Sequence, residues 1–460
     1  MHVGIIGNGF SGLMTCYHLV AQSSEKLHIT IFEKEHNPGR GIAYSPQSEK
    51  VLLNVIAGKM SAFSDQPDDF VNWLSNHHDF NNDHEQLISS SFVPRARYGE
   101  YLAHIWLKTK ELARLKNIEL QCIQEEVIDL NYEKESVLLS TKQQHYKVDK
   151  IILATGNQLP RNPILENTKW LTSSRYSQNP WNYNLKNIDP SKSIFILGNG
   201  LTMVDTVIQI REQKLENQII SLSPHGFNIL PHRNFSISQE DWLNKLGEKP
   251  SLQALISEIN KQLKTLKKHG ISAEPLIDYL RPHTQKIWRN FTLTEKKTFL
   301  VKFRHLWGVA RHRLPFVTYD IIQKERIQKS LTIISGKLIS VSDLNDSLEI
   351  IYFDKALGKE QKIEATFMIN CTGPESDFTK SNSTLLKNCI AKGILTQDEL
   401  KLGIRTDITS FQTINSDNEI NSSIYTLGST LRGELWESTA INELRSQAKM
   451  LAEKLLPEIK

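Results

Sequence analysis

The sequence predicts an α/β chain built on two open parallel sheets, and three observations predict it. An apolar run ending in a glycine turn, VGIIGNGFSGLM at 3–14, is nearly repeated as IFILGNGLTMVD at 194–205. Each copy leads from a β-branched strand pattern through Gly-Asn-Gly into an apolar helical pattern. Two further strand patterns stop at Thr-Gly, in DKIILATGN (149–157) and ATFMINCTGP (365–374). Strands that alternate with helices pair in parallel, and their ligands sit at the strand C-terminal ends.

The first turn is a complete G-x-G-x-x-G, with Gly7, Gly9 and Gly12 as its glycines and Ser11 inside it. Such a turn brings the N–H groups of a helix N-terminus against a pyrophosphate, and a Cβ would block that approach. A helical pattern over 13–22 follows, then the strand LHITIFEK, ending in Glu33 and Lys34. Glu33 lies 21 residues beyond Gly12, where an acid hydrogen-bonds ribose hydroxyls. Strand, glycines, helix, strand and acid in this order predict an adenine-dinucleotide site.

The second turn has Gly198, Gly200 and Thr202, but Met203 where the third glycine belongs. That glycine serves close helix packing, so the second site is looser, or the second unit is purely structural. The next strand, QIISLSP, ends in Ser223 rather than an acid. Loss of the ribose acid, with His225 and Arg233 nearby, favours NADPH over NADH.

A length of 460 residues suits two or three domains. The first unit is expected over 1–165 and 366–460 and the second over 190–365, with a Lys-, Trp- and Arg-rich helical insertion at about 235–325. A formal charge of +4 without a basic block argues against nucleic acid as a partner. No apolar run is long enough to span a membrane, and Met1 leads straight into a strand pattern, so a cytoplasmic protein is expected. Cys16, Cys122, Cys371 and Cys389 are far apart, which argues against a disulfide framework, a zinc site or a redox dithiol. The tract 76–86, with His77, His78 and His84, lacks metal-ligand spacing and reads as a solvated loop, and no metal is expected.

Several segments in one order carry a family resemblance. They are GRGIAYS (39–45), LLNVIAGKMSAFSDQPDDFVNWL (52–74), FVPRARYGEYL (92–102), LATGN (153–157), LGNGLTMVD (197–205), LRPHTQKIWR (280–289), RHLWGVARHRLP (304–315), NCTGP (370–374) and LRGELWESTAINELRSQA (431–448). Together with the two turns, they resemble the two-dinucleotide flavoprotein oxidoreductases. More narrowly, the chain resembles bacterial FAD/NAD(P)-binding flavoproteins related to the flavin-dependent N-hydroxylating monooxygenases, some of which resemble aspartate N-monooxygenases. The resemblance implies two Rossmann-like domains, FAD on the first turn and NADPH on the second. It makes Gly41, Tyr44, Asn54, Met60 and Ser61 candidates for the flavin ring and ribityl chain, with ordinary core packing the alternative for Tyr44 and Met60. Arg95 and Arg97 are candidates to pair with FAD phosphates or to cap a helix. Val127, Thr155, Gly156, Gly373 and Gly428 complete the cofactor set. An amphipathic helix with Ala440, Leu444, Ala448, Leu451 and Leu455 on one face is expected to start near Trp436 to Ser438, its N-terminus at the flavin pyrimidine edge.

Without a cysteine pair, molecular oxygen is the expected electron acceptor. NADPH would reduce the flavin, and a flavin C4a-hydroperoxide would hydroxylate a nitrogen of a small amine or amino acid. No side-chain nucleophile is required, so no catalytic residue is named. Ketone oxygenation is disfavoured, because Baeyer–Villiger and flavin-containing monooxygenases carry F-x-G-x-x-x-H-x-x-x-[WYF] between the two turns, whereas TKWLTSSRYSQNPW has Thr172 at the histidine position, lacks the Phe and Gly, and keeps only the aromatic, Tyr176. The insertion carries Arg281, His283, Arg289, Arg304, Arg311, His312 and Arg313. Arginines recognise carboxylates bidentately, which makes Arg281, Arg311, His312 and Arg313 candidates for holding an acidic amino acid. The alternatives are that they pair with local acids or bind the NADPH phosphate. Two other functions stay open: a flavin oxidoreductase passing electrons to another acceptor, and an FAD-binding regulatory protein without turnover.

Overall fold

In the computed structural model, which describes residues 1–35, 38–45, 48–80, 84–133, 136–233 and 241–459, the chain divides into two units. The first holds 1–49, 55–158 and 375–460 and the second 50–54 and 159–374.

The first unit contains, with strands numbered along the chain, β1 (His2–Ile6), β2 (His28–Phe32), β3 (Glu119–Ile123), β4 (Asp129–Glu133), β5 (Ser136–Ser140), β6 (His145–Val148), β7 (Lys150–Leu153), β14 (Thr406–Asp407), β15 (Gln412–Ile414) and β16 (Ile420–Thr426). Its main sheet has the order β14-β15-β16-β7-β1-β2-β3, and the strands from β16 to β3 run parallel. Val3, Ile5, Ile29, Ile31, Ile151 and Leu153 are fully buried, the mark of a parallel sheet covered on both faces. Helix α1 (Phe10–Gln22) packs against α4 (Arg95–Leu115) and α14 (Ile441–Leu455). Shorter helices are α2 (Asp69–Ser75), α3 (Glu85–Ser90), α12 (Thr384–Ala391) and α13 (Arg432–Leu435). The antiparallel sheet β4-β5-β6 shares a core with Phe32, Val127, Leu153 and Leu386.

The second unit contains β8 (Tyr176–Ser177), β9 (Ser193–Leu197), β10 (Ile219–Ser223), β11 (Leu331–Asp343), β12 (Leu348–Asp354) and β13 (Lys359–Asn370), in the order β12-β11-β10-β9-β13-β8. All pairs are parallel except those of β12, which is antiparallel to β11 and β13. Helix α5 (Leu201–Glu212) follows β9. Between β10 and β11 lie α6 (Leu252–Lys268), α7 (Glu274–Leu280), α8 (Thr284–Asn290), α9 (Leu293–Lys302), α10 (Arg304–Arg311) and α11 (Phe316–Ile327). The local reasons are in the sequence: the Ser251 hydroxyl accepts from Ala254 N at the start of α6, and Thr292 with Glu295 forms a capping box for α9.

Three placements differ from the sequence expectation. Residues 159–165 and 366–374, expected with the first unit, lie in the second, the latter because β13 pairs with β9 and β8. Residues 50–54, among them Asn54, also lie there, since Val51 packs into the core of Ile194, Met203 and Leu314. Helix α14 starts at Ile441 rather than near Trp436. Trp436 ends α13 at φ +42°, a left-handed conformation that a helix cannot continue. Among the described residues no helix is long and apolar enough to cross a membrane.

Candidate functional site

The two glycine turns have the same backbone. Gly7 (φ +103°) donates its N–H to Phe32 O at 2.8 Å, and Gly198 (φ +96°) donates to Leu222 O at 2.8 Å. A Cβ on Gly7 would meet Ala154 O at 2.4 Å, and one on Gly198 would meet Cys371 O at 2.4 Å. Both positions therefore demand glycine twice, by conformation and by space. Gly9 caps α1 at φ −83°, ψ −167°, and Gly200 caps α5 at φ −83°, ψ −168°. Inside each helix a threonine hydroxyl bonds back at 2.8 Å, Thr15 to Ser11 O and Thr206 to Thr202 O. No side chain caps either helix, so each presents its first N–H groups at the C-terminal edge of its sheet, where an anion is favoured.

Around the first turn the structure gathers several of the residues named from the sequence. The Glu33 carboxylate accepts from Asn8 N at 2.8 Å and from Glu35 N at 3.1 Å, which fixes it beside the turn, while Lys34 is exposed. Gly41 (φ +54°) backs onto Gly9, where a Cβ on Gly41 would lie 3.2 Å from Gly9 Cα. Gly428 (φ +82°), held by Gln447 Oε1 at 2.9 Å, approaches Ser11: its Cβ would lie 3.3 Å from Ser11 Oγ. Ser438 donates to Gly428 O at 2.9 Å and so fixes the same turn. Among the described residues, the buried hydroxyls of Thr155, beside Gly156 beyond the end of β7, and of Ser429, beside Gly428, have no hydrogen-bond partner. A folded protein does not leave buried hydroxyls unpaired without cause. Two such groups, just beyond the ends of β7 and β16, fit a bound dinucleotide.

Other named residues have partners within the protein. Arg97 is held by Asp79 (2.7 Å), Glu100 (2.9 Å) and Glu49 (3.1 Å), so its charge is matched within the protein. Ser61 is fully buried and donates to Gln66 O at 2.6 Å, and Met60 and Val127 lie in apolar surroundings. Tyr44 stacks edge-on to Tyr98 at 4.6 Å, and burial pushes its hydroxyl up to about 12. Asn54 offers its carbonyl to His232 Nε2 at 2.9 Å. Trp436 is nearly buried, with the Arg432 guanidinium 5.0 Å from its ring centre.

In the second unit, Met203 is buried among Ile194, Val207 and Ile322 and does not enter the turn. A Cβ on Gly200 or on Gly373 (φ +92°) would meet nothing within 4 Å, so the approach is open. Ser223 occupies the place of Glu33, and its hydroxyl accepts from Gly226 N at 3.0 Å. Arg233 pairs with Glu274 at 3.4 Å. Of the substrate candidates, Arg313 is buried and bonded to Ala310 O (3.0 Å), Glu274 O (3.3 Å) and Asp278 (2.5 Å), which ties α10 to α7. His312 Nδ1 sits 3.0 Å from Gly308 O, and Arg281 and Arg311 are partly exposed.

All four cysteines are free, and burial raises their thiol pKa values, that of Cys371 to about 12 and that of Cys389 to about 12. His77, His78 and Asp79 could in principle meet at one ion, yet Arg97 already occupies Asp79. Sequence reasoning passed over Asn8 and Asn199, although the repeat of Gly-Asn-Gly marked both. Asn8 N holds Glu33, and Asn199 Nδ2 donates to Phe227 O at 2.5 Å.

Residues 4–158 match a family model described as FAD-NAD(P)-binding. No curated protein matches the chain. Among solved structures, the reduced form of an ornithine hydroxylase from Pseudomonas aeruginosa is similar with a TM-score of 0.67 at 14% identity, covering 100% of this chain and 99% of that one. The ornithine N-hydroxylase of Kutzneria sp. 744, in a structure with reduced FAD, NADP+ and L-ornithine, gives 0.66 at 13% identity over 100% and 99%. The L-lysine 6-monooxygenase from Pseudomonas syringae gives 0.62 at 12% identity over 99% of each chain. At these identities the likeness is one of fold, and that fold is the two-dinucleotide flavoprotein architecture.

Proposed function

We propose that this chain, with the fold of the two-dinucleotide flavoprotein monooxygenases, is an FAD- and NADPH-dependent monooxygenase that hydroxylates a nitrogen of a small amine or amino acid. The observation that carries the reading is the pair of matched glycine turns, the first of them lined by buried hydroxyls unpaired among the described residues. In this reading the first unit keeps FAD: the N–H groups at the start of α1 take its pyrophosphate, Glu33 takes the adenosine ribose, and Thr155 and Ser429 supply hydrogen bonds at the strand ends. Arg97 positions α4 through its three carboxylates rather than reaching a phosphate. The second unit receives NADPH at the start of α5, and no acid at Ser223 opposes a phosphorylated ribose. When bound, the flavin supplies hydride acceptance and oxygen activation, chemistry that no side chain of this protein can provide. The protonated, widely spaced thiols leave no dithiol to carry electrons onward, which favours oxygen as the acceptor.

The finer reading of the substrate is an amino acid with an acidic side chain, its carboxylate held by Arg281 and Arg311 with His312 beside them. Arg313 is reassigned to structure by its three hydrogen bonds. The test is NADPH consumption by the flavin-loaded protein with a panel of acidic, basic and neutral amino acids, together with detection of hydroxylamine product. Stimulation and product with one class identify the substrate. NADPH that never bleaches the bound flavin refutes the enzyme reading.

A further inference from the structure

The second dinucleotide turn carries, in place of a ribose acid, a preformed cationic and aromatic corner. Gly198 N bonds Leu222 O as Gly7 N bonds Phe32 O, so Ser223 stands where Glu33 stands in the first unit. The chain then turns through Pro224, His225, Gly226 and Phe227. This turn is tied down twice, by Gly226 N donating to Ser223 Oγ at 3.0 Å and by Asn199 Nδ2 donating to Phe227 O at 2.5 Å. Asn199 belongs to the glycine turn itself, so the corner is attached directly to the nucleotide site.

On this turn the His225 ring stacks on His305 of α10, with centroids 4.1 Å apart and planes at 14°. Phe227 lies nearly parallel to both, 5.3 Å from His225 and 5.6 Å from His305. His225 and Phe227 are exposed and His305 is partly so. Lys355, on the turn after β12, adds an ammonium by donating to Pro224 O at 2.7 Å. Arg304 precedes His305 on α10, and among the described residues no carboxylate pairs with either imidazole. Burial and the neighbouring His225 both press His305 towards its neutral form. Two stacked imidazoles without an anion repel each other once charged, so the corner gains from a dianion that lets a proton stay.

We propose that the stacked pair His225 and His305, with Lys355 behind it, reads the 2′-phosphate of NADPH, so that discrimination against NADH is made by titratable cations and depends on pH. This rests on the reading of the second turn as the NADPH site. The ligand chemistry is a phosphate monoester on an adenosine ribose, dianionic above about pH 6. Its binding raises the imidazole pKa, so a proton is taken up with NADP+ and none with NAD+. Affinity for NADP+ then rises as pH falls through the imidazole range, while that for NAD+ stays level.

The experiment is titration calorimetry of the flavin-loaded full chain with NADP+ and with NAD+ at pH 6.5 and 8.5, in two buffers of different ionisation enthalpy. NADP+ is expected to bind about tenfold tighter at pH 6.5 than at pH 8.5, with proton uptake, and NAD+ equally at both. The double variant His225→Ala with His305→Ala should lose the pH dependence and most of the NADP+ preference. Lys355→Met should weaken NADP+ at both pH values and leave its pH dependence intact. If NADP+ and NAD+ bind but the double variant keeps the wild-type preference and proton uptake, this inference fails and the NADPH reading stands. If neither dinucleotide binds, both fail together.

Discussion

The two glycine turns of this protein share a backbone and differ in what surrounds it. At the first, Gly12 sits where a Cβ would lie 1.9 Å from Gly7 O, so helix and turn are in direct contact. At the second, Met203 holds the same position, and the first bond of the helix is longer: Val204 N lies 3.3 Å from Gly200 O, against 2.9 Å for Leu13 N to Gly9 O. The strand ends differ in the same sense. Thr372 satisfies its hydroxyl on Asn370 at 2.7 Å, whereas the equivalent Thr155 has no partner among the described residues. Gly41, Gly428 and Glu33 crowd the first turn and open space faces Gly200, while Gly156 and Gly373, at the two strand ends, are open alike. In the proposed reading, the turn that keeps FAD is the one that leaves polar groups waiting for it, and the turn that exchanges NADPH keeps only the glycines that the approach requires.

The strongest way to break this comparison is at Gly12. Gly12→Ala should cost about 3 kcal/mol or more, since backbone on both sides of the contact must move, and the purified protein should lose its yellow colour. Flavin absorbance and a urea midpoint report both effects. Met203→Gly, which completes the second fingerprint, should weaken the unit rather than improve it. It empties a buried site and adds helix entropy, at about 2–5 kcal/mol, measured by the same denaturation.

Acid sharpens the comparison in another way. His18, on α1, is buried beside Tyr17 and Phe63, and burial lowers its pKa from 6.5 to about 4. Below pH 6.5 the unfolded chain therefore binds a proton that the native state refuses. Stability falls as pH drops from 6.5 towards 4 and this contribution levels off below that. Unfolding midpoints at pH 7 and pH 5 should show the loss, and His18→Leu should flatten it.

Thr155→Val has a smaller effect with two signs. Removing an unpaired buried hydroxyl should stabilise the flavin-free protein by about 1 kcal/mol while weakening flavin binding about tenfold. A fluorescence titration against thermal melts separates the two. Gly200→Ala should change stability least, within about 1 kcal/mol, because its φ of −83° is ordinary and no atom lies within 4 Å. Its effect should appear instead as weaker NADP+ binding by calorimetry.

Much of this was legible in the residues. Gly7, Gly12 and Gly198 are read directly, because a positive φ or a backbone contact excludes every other side chain, and Gly9 and Gly200 are read from the repeat of Gly-Asn-Gly. The strand ends at Thr155 and Thr372 follow from apolar runs that stop at Thr-Gly. The helical insertion follows from its caps and spacing. Arg97 and Arg313 were not legible in the same way. Each looks like an anion-binding arginine, yet Asp79 lies 18 residues from Arg97 and Asp278 lies 35 from Arg313. For Arg97 the one local sign is Glu100, three residues on, and a single exposed-helix pair does not show that two distant acids complete the match. Trp436 escaped for a related reason: its φ of +42° is imposed by its surroundings, not by its own preference.

By itself the sequence determined the α/β class, the doubled dinucleotide turn and the order of strands and helices. These rest on steric exclusion and on periodicity, which act over a few neighbouring residues. Only the tertiary structure decided that NCTGP closes the second sheet, that Met203 turns into the core rather than into the turn, and that His225 meets His305. Those outcomes depend on which distant segments pack together, and packing is settled by the whole chain at once.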